Sequence, residues 1–327
     1  MDGESMSDTL FELGFSDLYI HPVPSDCWFK TRSDSKERVL VPEHLHNELV
    51  HLRNHIVAQD KGEEFRIKWH SDFMRVGRIN GIDGTIYALR NWKRQSVRNL
   101  AELGFPRRIA QHIVSPRLKS GLILMMGQQG SGKTSSAAAC LIERLTDIGG
   151  VARVIEAPAE MALEGQHGKG YCYQTDLKSD EMFAAEIKHA VRAAIDILLI
   201  GEIRSAEVAR EAVLAAAAGL VVISTFHANS LQIGLRRFNR ICHEQELFAE
   251  ALQAAFHLTL TENDGQIDSS PLPGRTVTNQ MILSVDPLLL TGKADDVRPI
   301  RNAIREDQIQ TLSTAIQRQR DFFMSTR

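Results

Sequence analysis

The spacing of apolar residues predicts a small α+β domain in the first part of the chain. Between residues 42 and 59 apolar side chains recur at helical spacing, which predicts a helix with Pro42 in its first turn. These side chains are Leu45, Leu49, Leu52 and Ile56. Segments rich in aromatic and β-branched residues predict strands on both sides of this helix: FSDLYIHP, CWFKTRSD, FRIKW and TIYALR. Asp83-Gly84 has the composition of a tight turn.

A polar segment, residues 91–117, follows this domain. Pro106 and Pro116 interrupt its short helical pieces, and we interpret the segment as the connection between two domains. The chain length also fits two domains. We predict that residues 1–115 form the first domain with its linker and that residues 116–327 form the second.

From Gly121 onward, strand patterns and helix patterns alternate. GLILMMG, VARVIEAP, IDILLIGE and LVVISTFH predict strands, and SGKTSSAAACLIERL, DEMFAAEIKHAVRAA and AEVAREAVLAAAAG predict helices. The strand IDILLIGE is apolar without interruption, which is typical of a strand buried on both faces. This alternation predicts an α/β fold with a parallel sheet and crossover helices. After about Ile241 we predict a mainly helical tail, interrupted by a loop or hairpin near Asp264-Gly265 and residues 271–274.

Composition and charge narrow the class of protein. The chain has 327 residues, of which 43% are hydrophobic and 24% charged, and a formal net charge of −3. These values exclude a disordered or fibrous chain. A general nucleic-acid-binding protein carries a strong basic excess, so we expect no direct nucleic-acid partner. Because the four cysteines form no CxxC pair, we predict reduced thiols, no zinc site and a cytoplasmic location.

One uncharged stretch, residues 212–235, is a candidate membrane segment. Its apolar part ends at Ile223, whereas a spanning helix needs about 20 apolar residues. We therefore predict an alanine-rich helix, a break at Gly219 and a buried strand, with no transmembrane segment. The first residues contain no basic region followed by an apolar run, so we predict no signal peptide.

A glycine-rich stretch between a predicted strand and a predicted helix matches the phosphate-loop pattern GxxxxGK[ST]. Glycines allow backbone N–H groups to converge on phosphate oxygens at a helix N-terminus. Lys133 would reach the β and γ phosphates of ATP, and the Thr134 hydroxyl would bind Mg²⁺. The predicted nucleotide-binding residues are Gly127, Gln128, Gln129, Gly130, Ser131, Gly132, Lys133, Thr134 and Ser135.

Polar side chains follow three other predicted strands. Glu202 ends the strand IDILLIGE, where an acid holds Mg²⁺ or polarises the attacking water. Glu156 and Glu160 flank Pro158; by position alone they fit solvated loop acids as well as a group that orients water. His227 follows the last predicted strand, at the edge where open α/β sheets bind ligands. We predict that it contacts the γ phosphate or reports its loss.

Four sequence elements in this order resemble the motifs of the secretion superfamily of hexameric ATPases, which drive type II secretion, type IV pili and type IV secretion. GQQGSGKT is similar to the Walker A loop, VIEAPAE to the Asp box, ILLIGEIR to the Walker B strand and STFHANS to the His box. The resemblance covers residues 121–235. It implies a P-loop (RecA-like) parallel-sheet ATPase domain preceded by a smaller α+β (PAS-like) N-terminal domain.

The same resemblance implies roles for individual residues. Glu160 matches the acid that acts as general base, Glu202 matches the Walker B carboxylate near Mg²⁺, and His227 matches the His-box histidine. With Lys133, these residues form the predicted catalytic set. Thr134 and Glu202 are the predicted metal ligands.

Further details of the resemblance concern the small domain and the Asp box. In related motors, arginines of the small domain contribute to the phosphate site, and Arg75, Arg78 and Arg90 are the candidates here. The family's Glu-Asp-Pro sequence is altered, because Ala157 replaces its second acid. The tail segment 300–306 resembles the AIRNLIRE stretch of PilT-type pilus-retraction ATPases. The four-cysteine zinc module of many assembly ATPases is absent. Both observations favour a retraction-like (PilT-type) or a Dot/conjugative-transfer-type ATPase within the superfamily.

The leading hypothesis is therefore an ATP-hydrolysing homo-hexameric motor that uses ATP and Mg²⁺. It would power a type IV secretion, conjugation or type IV pilus apparatus, docked at the cytoplasmic face of an inner-membrane complex. A second hypothesis is a DNA-translocating P-loop ATPase, for which the basic cluster at residues 236–240 is the available patch. A third is a regulator that binds but does not hydrolyse ATP, which the loss of the acid at Ala157 would suggest.

Overall fold

The computed structural model describes residues 9–31, 36–60, 62–70, 72–92, 97–177, 179–262, 281–290 and 294–324. The chain divides into two compact units, Met1–Gln95 and Ser96–Arg327. The predicted boundary near residue 115 therefore differs from the observed one.

The first unit is an antiparallel sheet with one long helix. Its elements are β1 Asp17–Ile20, β2 Trp28–Lys30, β3 Val39–Leu40, α1 His46–Ala58, β4 Glu64–Trp69, β5 Asp72–Gly81 and β6 Gly84–Trp92. The strands lie in the order β3-β2-β1-β6-β5-β4, and each neighbouring pair is antiparallel. Leu49, Leu52 and Ile56 of α1 are buried in the same core as Leu18 and Val76. The α+β prediction for this region agrees with the structure, although it did not include β5.

The second unit is built on a mostly parallel sheet. Its elements as far as β12 are α2 Arg107–Ile113, β7 Gly121–Gly127, α3 Lys133–Asp147, β8 Gly150–Glu156, β9 Gly165–His167, β10 Gly170–Asp176, α4 Phe183–Arg192, β11 Ile197–Ile200, α5 Ala206–Ala217 and β12 Val221–His227. The remaining elements are α6 Leu231–Ile241, α7 Gln245–Ala251, β13 Leu252–Glu262, β14 Met281–Leu289, α8 Ala294–Arg305 and α9 Ser313–Met324. The strand order is β14-β13-β7-β12-β11-β8-β10-β9, and only the two edge strands, β14 and β9, are antiparallel to their neighbours. The α/β prediction with a parallel sheet is confirmed.

Apolar side chains of the central strands alternate between two cores, one on each face of the sheet. On β7, Leu122 and Leu124 belong to the core that contains α5, whereas Ile123 and Met125 belong to the core that contains α3. A strand covered on both faces needs an unbroken apolar run, which is the pattern that the sequence of this region shows.

The segment predicted as an interdomain connection belongs to the core of the second unit. Leu100, Phe105, Ile109 and Ile113 are buried with the side chains of β7 and β13. The rings of Phe105 and Phe256 make an edge-on contact, with 5.8 Å between their centroids. Short helical pieces with few apolar residues resemble a linker in sequence. Here those few residues all point into one core, which places the boundary before them.

The tail was predicted to be mainly helical, and this is wrong for the two long strands β13 and β14. β13 lies parallel to β7 and carries buried side chains on both faces of the sheet: Ala254 and Phe256 on one, Leu252 and Ala255 on the other. The first residues of β13 are apolar on both faces and give no period-two signal, whereas residues 256–261, FHLTLT, alternate between apolar and polar and were the available signal. The loop or hairpin predicted near residues 264–274 lies outside the described residues.

The uncharged stretch at residues 212–235 folds as predicted. It contains the end of α5, a glycine at φ 113° (Gly219) and the strand β12. Of the helices in the described ranges, none combines the length and the apolar character that a membrane crossing requires.

We predict that Ile109→Ala destabilises the second unit, because it removes a fully buried side chain. The expected loss is about 2 to 5 kcal/mol of the free energy of unfolding, measured by urea denaturation. Gln111→Ala, on the exposed side of the same helix, is the matched control and should change it by less than about 0.5 kcal/mol. Equal, small effects of both substitutions would mean that the segment is a linker after all.

Candidate functional site

Four neighbouring strands end at one edge of the second unit's sheet. The parallel register places His227 of β12 beside Gly127 of β7, and Ile200 of β11 beside Ile155 of β8. The segments that follow these strands border a single cleft of about 560 Å³, within the size range of small-molecule sites. The four predicted catalytic residues all line it: Lys133, Glu160, Glu202 and His227.

The loop between β7 and α3, residues 128–132 and here called the glycine loop, follows a position whose backbone only glycine permits. Gly127 has φ +151°, and a Cβ there would lie 2.5 Å from the carbonyl oxygen of Leu258. The loop ends at Gly132, which occupies the left-handed cap position of α3. The hydroxyl of Ser131 is buried and has no hydrogen-bond partner in the protein. The start of a helix favours an anionic ligand, and the unpartnered hydroxyl of Ser131 could donate a hydrogen bond to it.

Lys133, the first residue of α3, is largely buried. Its Nζ donates a hydrogen bond to the carbonyl oxygen of Gln128, at 2.6 Å. Burial lowers the pKa of Lys133, and the negative charges of Glu202 and Glu160 oppose this shift. The buried ammonium group lies beside two carboxylates, and it is the cation that an anionic ligand would contact at this point of the cleft.

Glu202 lies just beyond β11 and already has a partner. Arg204 Nε donates to Glu202 Oε2 at 2.7 Å, and Arg204 Nη1 lies 3.3 Å from Asp180 Oδ1. The bond to Glu202 raises the pKa of Arg204. Arg204 and Asp180 both line the cleft, and our sequence analysis assigned a role to neither of them. Asp180 could not have been found by motif, because its sequence position is remote from Glu202.

The segment 157–163, which carries Glu160, is fixed by a strand that the sequence analysis missed. On β10, Gln174 Nε2 donates to the carbonyl oxygen of Met161 at 2.7 Å, and Gln174 Oε1 accepts from the backbone N–H of Leu163 at 3.1 Å. Asp176 Oδ1 accepts from the N–H of Ala159 at 3.0 Å. The alternating exposure of β10, with Tyr171 and Tyr173 outward, was the available signal.

Glu156 is a buried carboxylate at the end of β8. Gln174 Nε2 also donates to its Oε2, at 2.7 Å. Gly201 lies against it, since a Cβ on Gly201 would be 2.8 Å from the Glu156 Cγ. Glycine before Glu202 therefore allows the ends of β11 and β8 to approach, which brings the acids of both strands into one cleft.

His227 is exposed at the end of β12. Its backbone carbonyl accepts a bond from Arg237 Nη1 at 3.4 Å. Two residues earlier on the same strand, Thr225 Oγ1 donates to the carbonyl oxygen of Gly201 at 2.5 Å. This bond connects the segments of β12 and β11 that carry His227 and Glu202.

The three arginines predicted at the phosphate site belong to the first unit, and each has a carboxylate partner there. The shortest N–O distances are 2.5 Å for Arg75 with Glu64, 3.3 Å for Arg78 with Asp60 and 2.9 Å for Arg90 with Asp17.

Thr134 and Glu202, the predicted metal ligands, both border the cleft. In the described part of the chain, no three His, Cys, Asp or Glu side chains cluster closely enough to hold a metal on their own. Mg²⁺ in nucleotide sites needs only one or two protein oxygens, with phosphates and water supplying the rest. A hydroxyl and a carboxylate beside the glycine loop fit that donor set.

Residues 45–268 match the family model described as type II/IV secretion system protein. The chain belongs to this family. Among its relatives, the putative type II secretion system protein E of Escherichia coli K12 is 29% identical over 200 residues, which is 60% of this chain and 39% of the relative. The type IV pilus ATPase PilU of Pseudomonas aeruginosa is 24% identical over 97% of this chain and 84% of its own. The chain spans about two fifths of the length of the type II secretion relatives.

Solved structures of low sequence identity share the fold of this family member. The pilus retraction motor PilT, solved with bound ADP, superposes with a TM-score of 0.70 at 22% identity, covering 94% of this chain and 87% of PilT. The ATPase DotB of Legionella pneumophila gives 0.65 at 17% identity, covering 92% and 84%.

We predict that Gln174→Leu loosens the segment that carries Glu160. The amide of Leu163 loses its acceptor, so its hydrogen exchange should become about five- to tenfold faster. Mass spectrometry of hydrogen exchange on short peptides measures this. Tyr173→Leu, on the exposed face of the same strand, is the control and should leave the exchange unchanged. Unaltered exchange in Gln174→Leu would contradict the positioning role.

Proposed function

We propose that this chain is an ATP-hydrolysing subunit of a secretion or pilus motor. The observation that carries the proposal is the meeting of Lys133, Glu160, Glu202 and His227 in one cleft beside the glycine loop. Family membership supports it, as do the names of its relatives PilU and PilT. In finer terms, we propose a RecA-like P-loop domain for the second unit and a PAS-like domain for the first.

In this proposal the glycine loop binds the phosphates of ATP. Its backbone N–H groups and Lys133 balance the phosphate charge, and the free Ser131 hydroxyl supplies one more donor. Thr134 and Glu202 would hold Mg²⁺, which supplies charge neutralisation at the phosphates when bound. Glu160 accepts a proton from the attacking water.

Two other groups would complete the site. His227, at the end of β12, donates to the terminal phosphate. The first-unit arginines, Arg75, Arg78 and Arg90, remain candidates for the same phosphate, and each would have to exchange its present carboxylate for the phosphate. Such an exchange costs least for Arg75, whose pair with Glu64 is the most exposed, and more for Arg90, because the buried Asp17 would lose this partner.

The assembly that fits this function is a homo-hexameric ring in the cytoplasm, docked on an inner-membrane complex. ATP binding would draw the two domains of each subunit together, and hydrolysis would let them part. The apparatus served would be a type IV pilus, as for PilU and PilT, or a type IV secretion or conjugation system.

We predict that Lys133→Ala weakens ATP binding about 10- to 100-fold, because it removes a charged hydrogen bond to phosphate. Isothermal titration calorimetry measures the change. Lys188→Ala removes an exposed lysine that pairs with Glu211 at 3.3 Å, and this control should bind ATP normally. Equal affinity of Lys133→Ala and the wild type would contradict the phosphate-binding role.

A further inference from the structure

Arg204 lies at the centre of a charged group that the proposed function does not use. It follows Glu202 in the segment between β11 and α5, and about half of its side chain is exposed in the cleft. Its guanidinium binds two carboxylates at once: Nε donates to Glu202, and Nη1 lies 3.3 and 3.4 Å from the two oxygens of Asp180.

This arrangement occupies the carboxylate that the proposed chemistry needs. Glu202 Oε2 accepts from Arg204 at 2.7 Å, so the positive guanidinium competes with any other cation for this carboxylate. The Lys133 ammonium meanwhile contacts the Gln128 carbonyl. Departure of the guanidinium would make both oxygens of Glu202 available at the phosphates.

A guanidinium released in this cleft has a natural alternative partner. Arginine stays protonated at every physiological pH, and its planar fork pairs with phosphate as well as it does with carboxylate. Because Arg204 is half exposed, its side chain can change rotamer without opening a core. A nucleoside triphosphate would bring a phosphate to this end of the cleft that a diphosphate lacks.

We propose that Arg204 exchanges Glu202 for the terminal phosphate of a bound nucleoside triphosphate, and so lets the site distinguish ATP from ADP. This inference rests on the proposed nucleotide site. In the free site and with ADP, Arg204 holds Glu202; with ATP, it contacts the phosphate and frees Glu202.

The exchange would also affect the helices α4 and α5 of the same unit. Asp180 begins the short helical turn Asp180–Met182 that leads into α4, and α4 is tied to α5 by the ion pair of Lys188 with Glu211 at 3.3 Å. Departure of the guanidinium from Asp180 therefore releases the start of α4 when a triphosphate binds. A diphosphate leaves that contact in place.

The test is the affinity for ADP and for a non-hydrolysable ATP analogue, each measured by calorimetry in Mg²⁺. Arg204→Gln should bind the analogue about tenfold more weakly than the wild type and ADP equally well. Arg204→Lys, which keeps the charge without the fork, should lie between them. Arg210→Gln is the matched control, because Arg210 is also about half exposed and pairs with Glu244 at 2.9 Å.

A second measurement, without Mg²⁺, isolates the exchange itself. Glu202→Gln weakens the resting partner of Arg204, so the analogue should bind about threefold more tightly than to the wild type. Adding Arg204→Gln should abolish that gain. A merely structural role of Arg204 would not produce this coupling.

Three results would overturn the inference. Arg204→Gln could bind the analogue as tightly as the wild type, or it could lose ADP and the analogue equally. In both cases a wild type that binds nucleotide leaves the proposed function intact. A wild type that binds neither nucleotide would overturn the proposed function and this inference together.

Discussion

The parallel pairing of β7, β12, β11 and β8 is the constraint on which the candidate site depends. In a parallel sheet, all strands end at the same edge, and crossover helices return the chain along the faces. Residues separated by up to a hundred positions in sequence therefore meet there without any direct bond between them. The continuous apolar runs that bury these strands on both faces thus also determine where the polar residues after them lie.

The features that could be predicted from sequence are those with a recognisable pattern among neighbouring residues. The glycine loop, the buried strands and the acids or histidine that follow them each have a pattern within about ten residues, and the structure brings Lys133, Glu160, Glu202 and His227 together. The rest depends on partners far apart in sequence. Gln174 with Glu156, Asp180 with Arg204, and Phe105 with Phe256 follow only from the strand order. The strands β13 and β14 within the predicted helical tail, and the division of the chain after Gln95, were missed for the same reason.

The lysine and the arginine that line the cleft each contact oxygen atoms of the protein. Lys133 contacts the carbonyl oxygen of Gln128. Arg204 contacts the carboxylates of Glu202 and Asp180. Charges taken out of water must be paired, and pairs that remain half exposed are the ones exchanged at low cost. Ala157 removes one acid of the family pattern, but the segment that carries Glu160 is still anchored. Asp176 and Gln174 bond to its backbone, and Gln174 is itself bonded to Glu156.

The central claim is that this cleft hydrolyses ATP through Glu202. The most direct measurement is steady-state phosphate release from ATP with Mg²⁺, comparing the wild type with Glu202→Gln. The matched control is Glu244→Gln, which alters another carboxylate paired with an arginine. The account predicts turnover by the wild type and the control, and a loss of about 100-fold or more in Glu202→Gln. Equal turnover by Glu202→Gln and the wild type would contradict it.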